Sequence, residues 1–358
     1  MQILFSKMGY RYIGSKDKLA ATIINKIKRK CPAATSVIDL MAGTGLFSLA
    51  LRKEGYRVIA SDVMTYSYHH LMVNLKLNHA PKFDGLKELV DSDDNTYEKV
   101  LEYLNQCQPE LGFFTKEYSP SGRPTAGCKS RMYFTSENAS KIDSVRRIIK
   151  AWHEDNLISD VEHSLLLHDL IMAANDVANI AGTYGHYLSH FVQRSTEPIL
   201  LRPSVFKEND NTEGHEIRRG YAENLAPLLA GDVCYIDPPY IKRQYAANYH
   251  ILETLAREDE PEAIGESGLR PWRDQYSNFC SKVRIRNAFD LIIRNINCRD
   301  IFISYSEDGL LPIDDLMAFL QQYGIVELSK IKYKRFRSNN STKELELTEY
   351  LIYLNKNL

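Results

Sequence analysis

Residues 35–62, TSVIDLMAGTGLFSLALRKEGYRVIASD, leave the chain few folds to choose from. An apolar run of strand length, SVIDL, enters a glycine turn, and apolar residues then recur at helical spacing through LFSLALRKEGY. A second apolar run, RVIASD, ends on an acid. Strand, glycine turn, helix and strand together make a βαβ unit of a doubly wound sheet. The spacing predicts a helix ahead of this unit, over 18–30, and another behind it in YSYHHLMVNLKLN.

From about residue 82 the pattern changes. DSDDNTYEKVLEYLNQ reads as a charged helix, and EYSPSGRPTAGCKSR as a loop dense in Pro, Gly and Ser. SENASKIDSVRRIIKAW spaces Ile142, Val145, Ile149 and Trp152 for a helix whose other side gathers Lys141, Arg146, Arg147 and Lys150. VEHSLLLHDLIMAANDVANIAG predicts a long apolar helix capped by Gly182. Alternation resumes with GDVCYIDPPY, then helices in NYHILETLARE and around 280–296, the strand RDIFISYS and the helix PIDDLMAFLQQYG. IVELSKIKYKRF and ELELTEYLIYL close the sequence as two strands of a terminal hairpin. The expected architecture is α/β. A Rossmann-like doubly wound sheet is assembled from 1–81 and 216–358, and 82–215 forms a mainly helical insert.

A net charge of −1 over 358 residues excludes a uniformly basic binder, although local basic patches fit inside a neutral total. The apolar run in MQILFSKMGYRY is too short for a secretory signal, and no stretch approaches the roughly 20 apolar residues of a spanning helix. Six scattered cysteines without a C-x-x-C pair predict reduced thiols in a cytoplasmic protein, and no metal site is expected. His69 and His70 are expected at the surface.

Two motifs carry chemistry. In DLMAGTG, residues 39–45, a strand ending in Gly-x-Gly lets a ligand approach the backbone where a side chain would block it. Ser48 stands where a dinucleotide fingerprint needs its third glycine, which argues against a dinucleotide. Asp62 closes the second strand, where an acid can hold both ribose hydroxyls, though a plain βα turn with a surface acid would read alike. In CYIDPPY, residues 234–240, two prolines stiffen the turn and leave carbonyls free, while Tyr240 offers a ring face for stacking. Asp237 and the Pro238 carbonyl can both accept from one aromatic amino group. Two acceptors help localise its delocalised lone pair on nitrogen and make it nucleophilic. A strand-ending turn is the plainer alternative.

GYRYIGSK (9–16), DLMAGTG, SD (61–62) and CYIDPPY stand in an order and spacing that resemble the Dam-like, alpha-group DNA adenine methyltransferases. The likeness extends through RQYAANYHILETLA (243–256) and IFISYS (301–306), so it touches both ends of the chain. It implies a methyltransferase sheet, S-adenosyl-L-methionine as cofactor, double-stranded DNA as partner, and a target recognition domain in the insert. Tyr12, Ser15 and Lys16 would lie along the methionine part, Lys16 suiting its carboxylate. Asp39, Ala42, Gly43 and Gly45 would line the cofactor, Asp62 would hold its ribose, and Asp237 would border both cofactor and base. Asp237, Pro238, Pro239 and Tyr240 would form the catalytic pocket for an extruded adenine. The resemblance implies no covalent enzyme intermediate, metal or membrane.

One departure stands out. Relatives carry an acid in the segment matching RRGYAENL (218–225), where this chain has Gly220 and Tyr221. Tyr221 is the remaining candidate for covering the cofactor's adenine. For DNA, phosphates call for cations, and three stretches offer them: Arg146, Arg147 and Lys150; IKRQY (241–245), with Lys242, Arg243 and Tyr245; and KIKYKRFR (330–337). Tyr245 could fill the gap left by a flipped base, and Arg123 and Lys129 are candidates for base reading. The expected function is site-specific methylation of adenine N6, in a restriction–modification or phage setting with a cognate restriction endonuclease as possible company. A methyltransferase acting on cytosine N4 or an RNA base is the rival enzyme. A non-catalytic DNA-binding protein that kept the fold is the rival from another class. It is disfavoured because DPPY and YIGSK are both intact.

Overall fold

The computed structural model describes residues 12, 16, 19–92, 94–125, 127, 129–208, 211–334 and 346–357, with side chains of 332–334 and 346–347 excepted. The chain divides into two compact units. One comprises Gly14–Leu75, Asp210–Tyr245 and Gln275–Leu358, the other Met1–Ile13, Lys76–Asn209 and Ala246–Asp274, each over its described residues. The expected boundaries shift accordingly. Residues 246–274, assigned from sequence to the sheet region, pack with the insert instead, because the helix His250–Arg257 buries Ile251, Leu252 and Leu255 there.

In the first unit, β1 (Ser36–Asp39), β2 (Arg57–Asp62), β3 (Glu216–Arg219), β4 (Val233–Ile236), β5 (Asp300–Ser306), β6 (Gly324–Lys334) and β7 (Glu346–Lys356) form a seven-stranded sheet. Its order is β3-β2-β1-β4-β5-β7-β6. The first five strands are parallel, and β7 runs antiparallel between β5 and β6. The terminal hairpin is therefore present, and β3 is a strand that the hydrophobic pattern does not predict.

Strand residues alternate between two buried faces, as expected of a parallel sheet covered on both sides. Val37, Val58, Ala60, Val233, Tyr235, Phe302 and Leu351 pack with Ile23, Ile24 and Ile27 of α1 (Ala20–Lys30), Phe47 and Leu51 of α2 (Leu46–Lys53), and Leu71 and Leu75 of α3 (Thr65–Lys76). Ile38, Ile59, Cys234, Ile236, Ile301, Ile303 and Ile352 pack on the other side against the helices Ile285–Asn295 and Ile313–Leu320. The sequence order reverses between β1 and β4, and the C-terminal ends of these neighbours define the crevice where open α/β sheets bind ligands. DLMAGTG leaves β1 there and DPPY leaves β4.

The second unit is mainly helical, with helices Thr96–Gln106, Ser136–Glu154, Asp160–Val177 and His250–Arg257 among its longest. Asp160–Val177 begins with a capping box from Ser159 and Glu162 but ends before the expected Gly182 cap. Asn179 draws the backbone away: its N–H donates to Tyr133 O at 2.8 Å and its amide to Met132 O and Leu188 O, both at 3.0 Å. His69 and His70 also depart from expectation, since both are buried within α3. Cys31, Cys107, Cys234, Cys280 and Cys298 are free thiols. Among the described residues no helix is long and apolar enough to cross a membrane, and no cluster of three metal-ligating side chains occurs.

Candidate active site

The turn after β1 is held by its neighbours from two sides. Ala42 N–H donates to Ser61 O at 2.9 Å, and Gly43 N–H donates to Asp62 Oδ2 at 2.8 Å. The other Asp62 oxygen accepts from Met64 N at 2.9 Å, so this half-buried carboxylate ties two loops together. Gly43 and Gly45 have φ of 54° and 73°, which favours glycine at both. At Gly45 there is a second reason. A Cβ would lie 2.8 Å from Asn74 Nδ2 and 3.0 Å from Leu71, so α3, rather than a ligand, claims that space. Ala42 is half-buried on the same turn.

Asp39 ends β1 almost wholly buried and accepts from Ser48 Oγ at 2.6 Å. Burial pushes its carboxyl up to about 7; the Ser48 bond opposes this, and the charges of Asp237 and Asp62 add to it. Three carboxylates thus share one end of the sheet. Their field suits a cationic ligand and repels an anionic one.

Across the crevice, Val233–Ile236 is fully buried and delivers Asp237 to its C-terminal end. The Asp237 side chain is 17% exposed and pairs with Lys16 Nζ at 3.0 Å. Desolvation raises its pKa above the usual carboxylate value, with Lys16 opposing. Pro238 is buried and Pro239 half-buried. The Tyr240 hydroxyl donates to Glu349 Oε1 at 3.2 Å, and its ring meets Tyr305 edge-on at 5.8 Å. Leu310 N–H donates to Tyr240 O at 2.9 Å, fixing the turn from outside. Lys16 itself is buried, with its ammonium 5.3 Å from the Tyr240 ring centroid and 3.8 Å from Glu349 Oε2. Desolvation alone would lower its affinity for a proton, but Asp237, Tyr240 and Glu349 together raise it, so it remains an ammonium.

Among the expected cofactor residues, Lys16, Asp39, Ala42, Gly43, Gly45, Asp62, Tyr221 and Asp237 therefore belong to the sheet unit. Lys16, expected to suit a cofactor carboxylate, pairs with Asp237 here. Tyr12 belongs to the helical unit and stacks on Tyr249 at 4.7 Å; Ser15 lies outside the described residues. Tyr221 is half-buried at the start of the short helix Ala222–Leu225, and Gly220 N–H donates to Asp62 O at 2.9 Å. The carboxylate present on that segment is Glu223, which accepts from Asn278 Nδ2 at 3.1 Å.

The candidate DNA residues divide. Arg123, Lys129, Lys242 and Arg243 are exposed, and Tyr245 is half-buried. Arg147 and Lys150 are exposed but engaged, Arg147 with Glu110 and Lys150 with Glu154 at 3.8 Å and Glu258 O at 3.3 Å. Arg146 does not lie on a solvent face. It is 6% exposed, rests on the rings of Phe113 and Phe114, and donates to Asp259 O at 2.7 Å, so no phosphate can reach it. Of KIKYKRFR, residues 335–337 and the side chains from 332 onward lie outside the described residues.

Sequence reasoning missed Glu349, Ser48 and Gln244. The Gln244 amide exchanges two bonds with Ser277, at 3.0 and 2.8 Å, and so clamps the segment following DPPY. Glu349 had a signal: a lone acid inside the apolar strand TEYLIYL must find a partner if the strand is buried.

A doubly wound sheet with a glycine turn and an Asp-Pro-Pro-Tyr turn facing each other across its switch point defines a methyltransferase. The model of the D12 class N6 adenine-specific DNA methyltransferases matches residues 12–319, and the chain belongs to that family. It is 36% identical to the type II methyltransferase M.FokI of Planomicrobium okeanokoites, over 97% of this chain and 53% of that protein. It is 32% identical to the modification methylase StsI of Streptococcus sanguinis, over 97% and 52%. With the type II methyltransferase M.NlaIII of Neisseria lactamica identity is 31%, over 96% of this chain and 99% of the relative. The chain thus spans about half the length of the first two relatives and nearly all of the third.

Proposed function

We propose that this chain transfers a methyl group from S-adenosyl-L-methionine to N6 of an adenine extruded from double-stranded DNA at one short recognition sequence. The observation that carries this reading is the parallel pairing of β4, which runs into Asp237 and Pro238, with β1, which ends on Asp39 and the glycine turn held by Asp62. The donor set fits the cofactor. Asp39, Asp62 and Asp237 offer negative charge to a sulfonium, and burial with mutual repulsion already raises Asp39, strain that a bound cation relieves.

When bound, the cofactor supplies an electrophilic methyl group on a positively charged sulfur. Gly43 and Ala42 would line it, Asp62 would accept from ribose hydroxyls, and Tyr221 would cover its adenine. Tyr12 and Ser15 remain the candidates for its methionine end, whereas Lys16, expected there from sequence, is held by Asp237 with Glu349 beside it. Asp237 and the Pro238 carbonyl would accept from the target amino group and hold its lone pair on nitrogen, with Pro239 keeping the turn rigid and Tyr240 stacking on the base. No group on the chain is needed as a nucleophile.

The helical unit would select the sequence. Exposed Arg123 and Lys129 would touch base edges, Arg147, Lys150, Lys242 and Arg243 phosphates, and Tyr245 would fill the gap in the duplex. The relatives are named type II methyltransferases and a modification methylase, which supports a restriction–modification role; a cytoplasmic setting and a cognate endonuclease are part of the same proposal. Sequencing DNA from a host that expresses the chain, with detection of modified bases, tests the proposal. N6-methyladenine confined to one short sequence context is expected; N4-methylcytosine, or modified RNA with unmodified DNA, would overturn it.

A further inference from the structure

Asp237 Oδ1 already holds a partner, the Lys16 ammonium at 3.0 Å. A target amino group seeking the same carboxylate meets a competitor of like donor character. Lys16 does not reach solvent by letting go of Asp237, because its side chain is only 4% exposed, and an ammonium left buried without an anion is prohibitively costly. A second anion stands beside it. Glu349 Oε2 lies 3.8 Å from the same nitrogen, too far for a hydrogen bond and near enough that a shift of about 1 Å makes one. That oxygen is buried and has no hydrogen-bond donor among the described residues, while its partner oxygen is fixed by the Tyr240 hydroxyl at 3.2 Å. The lone acceptor thus points at the one cation that must move.

We propose that Glu349 is a positioning residue for methyl transfer: it takes over the Lys16 ammonium when the target amino group claims Asp237. The inference rests on the reading of Asp237 as acceptor for that amino group. The charge count supports it independently. As the N6 lone pair forms the new C–N bond and the C–S bond breaks, sulfur leaves as a neutral sulfide and N6 carries the positive charge until it passes a proton to water. A cation left on Asp237 would oppose that development. With Glu349 ionised, Lys16 is matched by Glu349 and Asp237 stays a free anion facing N6. With Glu349 neutral, Lys16 stays on Asp237.

The groups facing Glu349 are Lys16, Asp237, Tyr240 and Glu307. Burial holds its carboxyl above the usual range, with Lys16 opposing and Asp237 adding to it. Protonation of Glu349 on the acid side therefore removes the receiver of the ammonium, and the rate falls there.

Single-turnover methyl transfer to duplex DNA, followed across pH for wild type, Glu349→Gln, Glu349→Asp and Asp237→Ala, tests this. Glu349→Gln is expected to slow transfer at least tenfold near neutral pH, with DNA and cofactor dissociation constants within threefold and the melting temperature unchanged. Its acid limb should move to lower pH, and Glu349→Asp, which keeps the charge, should recover the rate to within fivefold of wild type. Glu349→Gln transferring within twofold of wild type across pH would overturn the inference. So would Glu349→Asp as slow as Glu349→Gln, or a loss of rate that merely tracks loss of folded protein. Asp237→Ala separates the two levels. If it transfers like wild type, the reading of Asp237 falls and the inference with it; if it is inactive while Glu349→Gln is unimpaired, only the inference falls.

Discussion

In the helical unit, buried Asp143 accepts from Gly112 N, Phe114 N, Thr115 N and Thr115 Oγ1, all at 2.7–3.0 Å. Arg131, wholly buried, donates to Glu117 Oε2 at 2.8 Å and to the carbonyls of Glu117, Ala263, Gly265 and Glu266 at 2.8–3.3 Å. Thr125 donates twice to the other Glu117 oxygen, at 2.6 and 2.9 Å. At the crevice of the sheet unit, by contrast, Glu349 Oε2 has no donor among the described residues and Lys16 serves two carboxylates. Asp62 and Asp237 both repel Asp39 there. Charges whose hydrogen bonds are complete clip loops together; charges left partly unsatisfied are available to a ligand.

The contrast also explains why a raised pKa alone identifies nothing. Burial pushes Asp39 and Asp169 alike up to about 7. Asp169 is then eased by hydrogen bonds from Tyr97 at 2.5 Å and Ser204 at 2.8 Å, with no other charge contributing. Asp39 is eased by Ser48 but further strained by Asp237 and Asp62, and only this second environment calls for a cation.

The largest stability effect is expected where satisfaction is complete. Arg131→Met strands the Glu117 carboxylate and four carbonyls in the interior, and should destabilise the protein by about 3–5 kcal/mol in denaturant titration. A loss below about 1 kcal/mol would mean that the clip between the Glu117 loop and residues 263–266 is dispensable, and the contrast between the units would fail.

A smaller, pH-dependent effect is expected at the two strained acids. Because each folded-state value is raised from 3.8 to about 7, the stability each contributes is fully present below about pH 4 and lost as pH rises through 7. Asp39→Asn and Asp169→Asn should both flatten the fall in unfolding free energy between about pH 4 and pH 7, by an amount on the order of a few kcal/mol at most. Only Asp39→Asn should weaken cofactor binding several-fold at pH 8 by calorimetry. Equal weakening by both would erase the distinction drawn between them.

Much of the sheet was legible because its cues are local. Apolar strand, glycine turn and helical spacing lie within residues 35–62, and the Asp-Pro-Pro-Tyr turn interrupts a buried strand within seven residues. What escaped was mostly long-range. Glu349 reaches Lys16 and Tyr240 only because β7 inserts beside β5. Residues 246–274 joined the helical unit through packing that no local pattern encodes. Arg146 is a different case, since its burial was readable. It stands four residues after Ile142 and three before Ile149, on the apolar stripe itself, and charge type misled where helical spacing was sound.

The central claim is that the partly satisfied carboxylate at the end of β4 does chemistry while the satisfied ones in the helical unit do not. Tritiated-methyl transfer to duplex DNA by Asp237→Ala, measured beside its DNA binding, tests it most directly. Transfer should be lost while binding stays within threefold of wild type, because the proposed phosphate contacts lie elsewhere. Transfer near the wild-type rate would contradict it.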